Sequence, residues 1–146
     1  MYKLKLATNK KEILEFEKKR SEVFGGQNIE QIEQGAFSSA IEAGDMLAFL
    51  CKEEEATIGG MLLELQGKNI NVLRLFVEQE KREQGAGSFM LDYVSEHEEF
   101  FEDYFGTEIK GIIVEPICSQ IDFYYNKGFE GSGARMYKKY CKRKKN

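Results

Sequence analysis

The chain opens with alternation: Tyr2, Leu4 and Leu6 stand between Lys3 and Lys5. A period of two predicts a half-buried strand over Tyr2–Ala7. Asn9, followed three residues later by Glu12, has the spacing of a capping box. A helix is therefore predicted from Lys10 to about Phe24, stopped by Gly25 and Gly26. A second helical stretch is predicted over Ile29–Ala43, broken near Gly35. The apolar runs Met46–Cys51 and Thr57–Leu65 flank the charged segment Lys52–Glu55, and read as a hairpin turned at Glu53–Ala56. Gly67 and Lys68 turn into another strand candidate, Asn69–Val77.

Polar residues from Glu78 to Gly87 separate that run from the strongest helical signal in the chain. Ala86, Phe89, Met90, Tyr93, Val94, His97, Phe100 and Phe101 recur at spacings of three and four, which predicts one long amphipathic helix. Glu108–Val114 reads as a strand with a buried end. Cys118–Asn126 reads as a short helix closed by Gly128, and Arg135–Tyr140 as a last strand. The predicted order is β-α-α-β-β-β-α-β-α-β. That order belongs to an α/β or α+β protein with a mostly antiparallel sheet.

The length of 146 residues is that of one domain, and no repeat, low-complexity stretch or proline-rich linker interrupts it. One domain over residues 1–146 is the expected organisation. With 11 Phe, 7 Tyr and no Trp, the core should be rich in phenyl rings. No apolar run approaches the roughly 18 residues of a membrane span, and the N-terminus lacks the apolar stretch of a secretory signal. Cys51, Cys118 and Cys141 are odd in number and widely spaced, which argues against a disulfide framework or a C-x-x-C metal site. A cytoplasmic location is expected.

The net charge of −4 argues against a general nucleic-acid surface. The exception is the basic tail Lys138, Lys139, Lys142, Arg143, Lys144 and Lys145, which reads first as solvated and second as a contact for an anionic partner. An acidic body favours encounter with cationic substrates. His97 is the only histidine, and its place on the apolar helical stripe suggests a packed or capped core residue, not half of a nucleophilic pair. No second histidine supports a zinc site. The acidic run Glu96, Glu98, Glu99, Glu102 and Asp103 reads as the solvated face of a helix.

Chemistry concentrates in Val77-Glu78-Gln79-Glu80-Lys81-Arg82-Glu83-Gln84-Gly85-Ala86-Gly87-Ser88. A strand runs into a polar loop, and the loop opens a helix. Helix N-termini present unpaired amides and a partial positive charge, which suits a pyrophosphate. Gly85 and Gly87 would let backbone approach phosphate oxygens, and Arg82 could contact a phosphate or brace the loop. The same glycines also fit a plain flexible turn. The dinucleotide fingerprint fails, because Met90 stands where a further Gly or Ala is needed.

Val77, four intervening residues and Arg82-x-x-Gly85-x-Gly87 resemble the coenzyme-A motif Q/R-x-x-G-x-G/A of the GNAT superfamily of N-acetyltransferases. That motif lies between the fourth strand and third helix of the GNAT fold, where this segment is also predicted to lie. Phe123-Tyr124-Tyr125-Asn126-Lys127-Gly128-Phe129 resembles the family's F-Y-x-x-x-G-F stretch. The resemblance implies a mixed, mostly antiparallel central sheet, flanked by helices, whose fourth and fifth strands splay apart. Pantetheine would enter the gap and pair along Leu75, Phe76 and Val77, with the Val77 amide donating to the acetyl carbonyl. Backbone from Arg82 through Glu83, Gln84, Gly85, Ala86 and Gly87 to Ser88 would hold the pyrophosphate.

Tyr124 falls on the family's usual general-acid position, from which a phenol can protonate the departing thiolate. A core or coenzyme-packing tyrosine is the alternative, and Tyr125 is the second choice. Gln79 stands where relatives often carry Pro, and Ile117 where they commonly carry Asn. Some relatives carry a glutamate base on the fourth strand, whereas Asn71–Phe76 holds no carboxylate. Base candidates are Glu115 and Glu64, each acting through water. The implied activity is acetyl transfer from acetyl-CoA to a primary amine of a small molecule or a peptide, by direct attack in a ternary complex and without metal. A non-catalytic acyl-CoA sensor and an acetyltransferase acting on aminoacyl-tRNA are the competing readings, the latter disfavoured by the acidic body. Homodimers are common among relatives.

Overall fold

The computed structural model describes residues 1–24, 37–116, 120–131 and 135–140. Six strands form one sheet in chain order: β1 (Tyr2–Leu6), β2 (Met46–Glu53), β3 (Ala56–Gln66), β4 (Asn69–Val77), β5 (Gly111–Val114) and β6 (Met136–Lys139). All neighbours are antiparallel except β4 and β5, which are parallel. The helices are α1 (Lys10–Phe24), α2 (Ser38–Glu42), α3 (Ala86–Glu96), α4 (Glu98–Phe105) and α5 (Ile121–Asn126). This is the mixed α/β architecture expected from the sequence. The glycine stop at Gly25–Gly26, the helical stretch 29–36, Ile117, Cys118 and the basic tail beyond Tyr140 lie outside the described residues.

The alternation of each strand sends side chains to two faces. Phe49, Met61, Ile70 and Val72 share one cluster with Met90, Leu91 and Val94 of α3 and Phe101 of α4. Ala48, Leu50, Leu62 and Phe76 share the other with Ile13 and Phe16 of α1 and Ile41 of α2. Phenyl rings contribute as expected, with Phe16, Phe49, Phe76, Phe101 and Phe129 all buried, but Ile, Leu and Val side chains make up more of the core. Each such burial is worth about 1.5–3 kcal/mol. Gly60 on β3 makes room for a ring pair: Phe16 and Phe76 meet edge to face at 5.4 Å beside it.

Four local expectations need correction. The Glu12 amide donates to Asn9 Oδ1 at 2.9 Å, as a capping box requires, but the Glu12 carboxylate accepts from the Thr8 amide and hydroxyl. The reciprocal arm is thus shifted by one residue. The long helix predicted through Phe101 is two helices. His97 leaves helical geometry (φ −116°, ψ 41°), its amide closes α3 on the Tyr93 carbonyl, and its own carbonyl accepts from Phe101 to open α4. The apolar stripe continues across this break, so periodicity could not reveal it.

His97 is also exposed, not a core residue: its ring stacks on Tyr93 at 3.9 Å, and Nδ1 lies 2.9 Å from the Tyr93 carbonyl. Finally, β5 begins at Gly111 and not at Glu108. The Ile109 amide donates to the Glu102 carboxylate and is lost to the sheet, while Lys110 flanks the strand, its amide donating to the Lys68 carbonyl and its carbonyl accepting from the Tyr140 amide.

Candidate coenzyme and transfer site

β4 has nine residues, but only its first four pair with β5, in the register Asn69–Gly111 to Val72–Val114. The strands then part. On the β3 side the register jumps from Leu63–Val72 to Leu62–Arg74, which leaves Leu73 as a bulge at the point of separation. Bulges bend a strand and increase its local twist. From Leu73 to Val77, β4 has an edge with no strand partner on the β5 side among the described residues.

The direction of that edge follows from one hydrogen bond. The Glu78 amide donates to the Ile58 carbonyl on β3 at 2.8 Å. Backbone groups of an extended strand alternate sides, so the amide and carbonyl of Val77, and those of Leu75, point into the gap. The Val77 carbonyl is taken by Arg82 Nε at 3.0 Å. Arg82 therefore braces the loop on the end of the strand.

The loop itself is tied at several points. Gln79–Lys81 forms one 3-10 turn, Glu83 has φ +64° and Gly85 has φ +96°. The Tyr2 hydroxyl donates to the Gln84 carbonyl at 2.9 Å. Lys81 pairs with Glu53 at 2.7 Å, and Lys19 with Glu78 at 2.7 Å. Helix α3 then starts at Ala86 without a side-chain cap, which leaves its first-turn amides for another acceptor. A Cβ at Gly85 would meet nothing within 4 Å, so the requirement for glycine there is the left-handed backbone alone. A Cβ at Gly87 would only touch Phe123, at 3.8 Å.

That touch shows that α5 packs by the start of α3. Lys127, just after α5, pairs with Asp92 of α3 at 3.0 Å and secures the contact. Next to Phe123, Tyr124 is 5% exposed, its ring tilted against Phe123 at 5.1 Å and Phe129 at 5.6 Å. Burial pushes the Tyr124 phenol up to about 12, so it keeps its proton at neutral pH. Tyr125 is 66% exposed. The fold thus gathers Arg82–Ser88 and Tyr124 on the α3 side of the sheet.

The carboxylate candidates lie elsewhere. Glu115 follows β5, is exposed, and sits 3.7 Å from Arg135. Glu64 of β3 faces the α1 side and is the direct neighbour of Asn71 on β4. Asn71 is 4% exposed, donates from Nδ2 to Glu64 Oε1 at 3.3 Å, and keeps Oδ1 buried without a partner. Sequence reading had passed over Asn71, although a polar residue between Ile70 and Val72 was a visible signal. Farther along the same face, Arg74 of β4 and Arg20 of α1 both stand over the Phe37 ring, at 5.6 and 5.4 Å. Among the described residues no group of three or more metal-binding side chains occurs, and no helix is long and apolar enough to cross a membrane.

A sheet that parts beside a braced loop and an uncapped helix start is the architecture of a coenzyme A-dependent acyltransferase. The chain belongs to the GNAT acetyltransferase family: the profile of the acetyltransferase (GNAT) domain matches residues 12–143. Solved structures agree on the fold. PaiA N-acetyltransferase from Thermoplasma acidophilum, in complex with coenzyme A, superposes with a TM-score of 0.61 at 20% identity, over 94% of this chain and 99% of its own. An aminoglycoside acetyltransferase from an uncultured soil metagenomic sample gives 0.68 at 15% identity, over 90% and 93%. The ribosomal-protein alanine N-acetyltransferase of Escherichia coli gives 0.65 at 10% identity, over 100% and 98%. A search of curated proteins by sequence gives no match. Membership makes this an acetyltransferase with acetyl-CoA as cosubstrate.

Proposed function

We propose that the protein moves the acetyl group of acetyl-CoA onto a primary amine by direct attack in a ternary complex. The observation that carries this reading is the half of β4 that has no strand partner on the β5 side among the described residues and ends at Val77 beside the braced loop. The pantetheine arm adds to the sheet along Leu75, Phe76 and Val77, and the edge amides, Val77 foremost, donate to the arm and the acetyl carbonyl. The amides from Arg82 to Ser88 receive the pyrophosphate at the start of α3. Tyr124, which holds its phenolic proton, passes it to the departing sulfur.

Of the two carboxylates, Glu64 has the stronger support as proton acceptor. It shares the α1 side with Asn71, whose orphan Oδ1 suits a bridging water. Glu115 is paired with Arg135 in solvent. An odd cysteine count with Cys51 buried and free supports a cytoplasmic protein.

Calorimetric titration with acetyl-CoA, followed by a panel of primary amines assayed for thiol release, tests this function. Saturable binding and amine-dependent release are expected. Binding without release for any amine would leave the non-catalytic sensor. Gly85→Glu should weaken acetyl-CoA binding, since a carboxylate repels pyrophosphate and the left-handed backbone disfavours any side chain. Unchanged affinity would remove the loop from the coenzyme site.

A further inference from the structure

The acidic composition suggested a cationic acceptor, but the local charge beside the open edge of β4 has the opposite sign. Arg74 is the first residue after the bulge, so it stands where β4 and β5 separate. Its register partner Leu62 belongs to the cluster under α1, and Arg74 stands over Phe37 of that same cluster. The guanidinium is therefore on the side of the sheet opposite α3 and the coenzyme loop. An acceptor that approaches the thioester from the face not used by the loop would pass it.

Arg74 is exposed, and no carboxylate pairs with it among the described residues. Among the described residues its polar contact is Nη1 to the Leu73 carbonyl, at 2.7 Å. Arg20 shares the Phe37 ring with it. The Arg20 side chain is 13% exposed and donates from Nη2 to Glu17, a carboxylate that is fully buried. Arg20 Nε is also buried and has no partner. Among the described residues, two guanidiniums and one carboxylate leave one positive charge here, with both arginines against the same phenyl ring. The exposed guanidinium of Arg74 can take an anion, and the planar fork of arginine suits a carboxylate.

We propose that the acceptor is an amino-carboxylate, whose carboxylate binds Arg74 on the α1 face while its amine reaches the thioester. Glu17 holds Arg20 without touching the acceptor. This inference rests on the acetyl-transfer reading and narrows its acceptor class. It also makes local charge, not net charge, the selector of substrate. A bare alkylamine would meet the positive mouth with nothing to offset it.

Matched acceptors test this directly: propylamine against β-alanine, and butylamine against 4-aminobutanoate. Acetyl-CoA-dependent thiol release should favour the carboxylated member of a pair by about tenfold or more in kcat/KM, mainly through KM. Arg74→Gln should erase that preference, while calorimetry shows unchanged acetyl-CoA affinity. Calorimetry of the coenzyme A-saturated protein with each amino-carboxylate gives a readout independent of turnover, and binding lost in Arg74→Gln is expected.

The proposal is overturned if alkylamines match their carboxylated partners, or if neither amino-carboxylate binds. It is also overturned if Arg74→Gln keeps the preference or weakens acetyl-CoA binding itself, since Arg74 would then serve the coenzyme. Failure of the wild-type protein to bind acetyl-CoA would sink the acetyl-transfer reading instead.

Discussion

Arg82 Nε holds the Val77 carbonyl at 3.0 Å, five residues back along the chain. The first residue of the coenzyme motif is thus a clasp on the strand that precedes it. Through this bond the loop takes its position from the sheet. The carbonyl it occupies would otherwise be an unpaired acceptor in the gap between β4 and β5.

Arg82→Ala should therefore act on the coenzyme before it acts on stability. Loss of one charge-assisted bond at an exposed site costs about 1–3 kcal/mol, and most of that loss should fall on acetyl-CoA affinity. Calorimetry should show binding roughly tenfold weaker or worse, with a melting temperature lowered by only a few degrees. Full affinity in the variant would mean that the loop is fixed by Tyr2, Lys81 and the 3-10 turn alone.

Gly60→Ala tests the packing beneath the strand. A Cβ at residue 60 would lie 2.6 Å from the Phe49 carbonyl oxygen and 3.0 Å from both Phe16 and Phe76. The backbone oxygen cannot swing aside as a side chain can. Overpacking of this kind costs about 1–3 kcal/mol. Urea denaturation should show a lower midpoint at unchanged slope, whereas a neutral result would mean that β2 shifts away from residue 60 at little cost.

Tyr124→Phe separates catalysis from packing. If the phenol supplies the proton, turnover should fall while acetyl-CoA affinity and acceptor KM stay close to wild type. The hydroxyl has a second signature at high pH. Burial raises its folded pKa to about 12, above an ordinary tyrosine at about 10, so its stabilising preference for the folded state is complete below about 10 and is lost as pH rises towards about 12. Tyr140 shifts in the same direction, through burial and the nearby Glu98 and Glu102 carboxylates. The wild-type protein should therefore lose stability over that alkaline range, and Tyr124→Phe should lose less.

Cys51 offers a probe of opening. It is fully buried on β2, and burial pushes its thiol up to about 11. Little thiolate exists at neutral pH, so alkylation should be slow in the folded protein and rapid in urea. Mass spectrometry of the Cys51 peptide reads this out. Fast labelling under native conditions would mean that β2 opens locally.

Much of the fold was legible because periodicity reports burial. The start of α1 and both limits of β4 matched the structure, since a capping pair marked the first and glycine punctuation led into the second. The coenzyme segment was legible for a local reason as well: a left-handed position such as Gly85 favours glycine, and it falls at the start of a helix. The break at His97 was hidden, because an amphipathic stripe continues through a one-residue departure from helical geometry.

The sequence by itself determined the kinds and order of elements, the phenyl-rich core and the place of the loop. Each of these depends on neighbours a few residues apart or on burial preference. Tertiary structure alone decided where β4 and β5 part, because that depends on a bulge at Leu73 and on the register of three strands. It decided that Asn71 lies beside Glu64, seven residues away in the chain, and that Arg20 and Arg74 each pack against Phe37. Contacts between strands and helices far apart in sequence leave no period to read. The charge an acceptor meets at this mouth is set by such contacts, and the net charge of the chain carries the opposite sign.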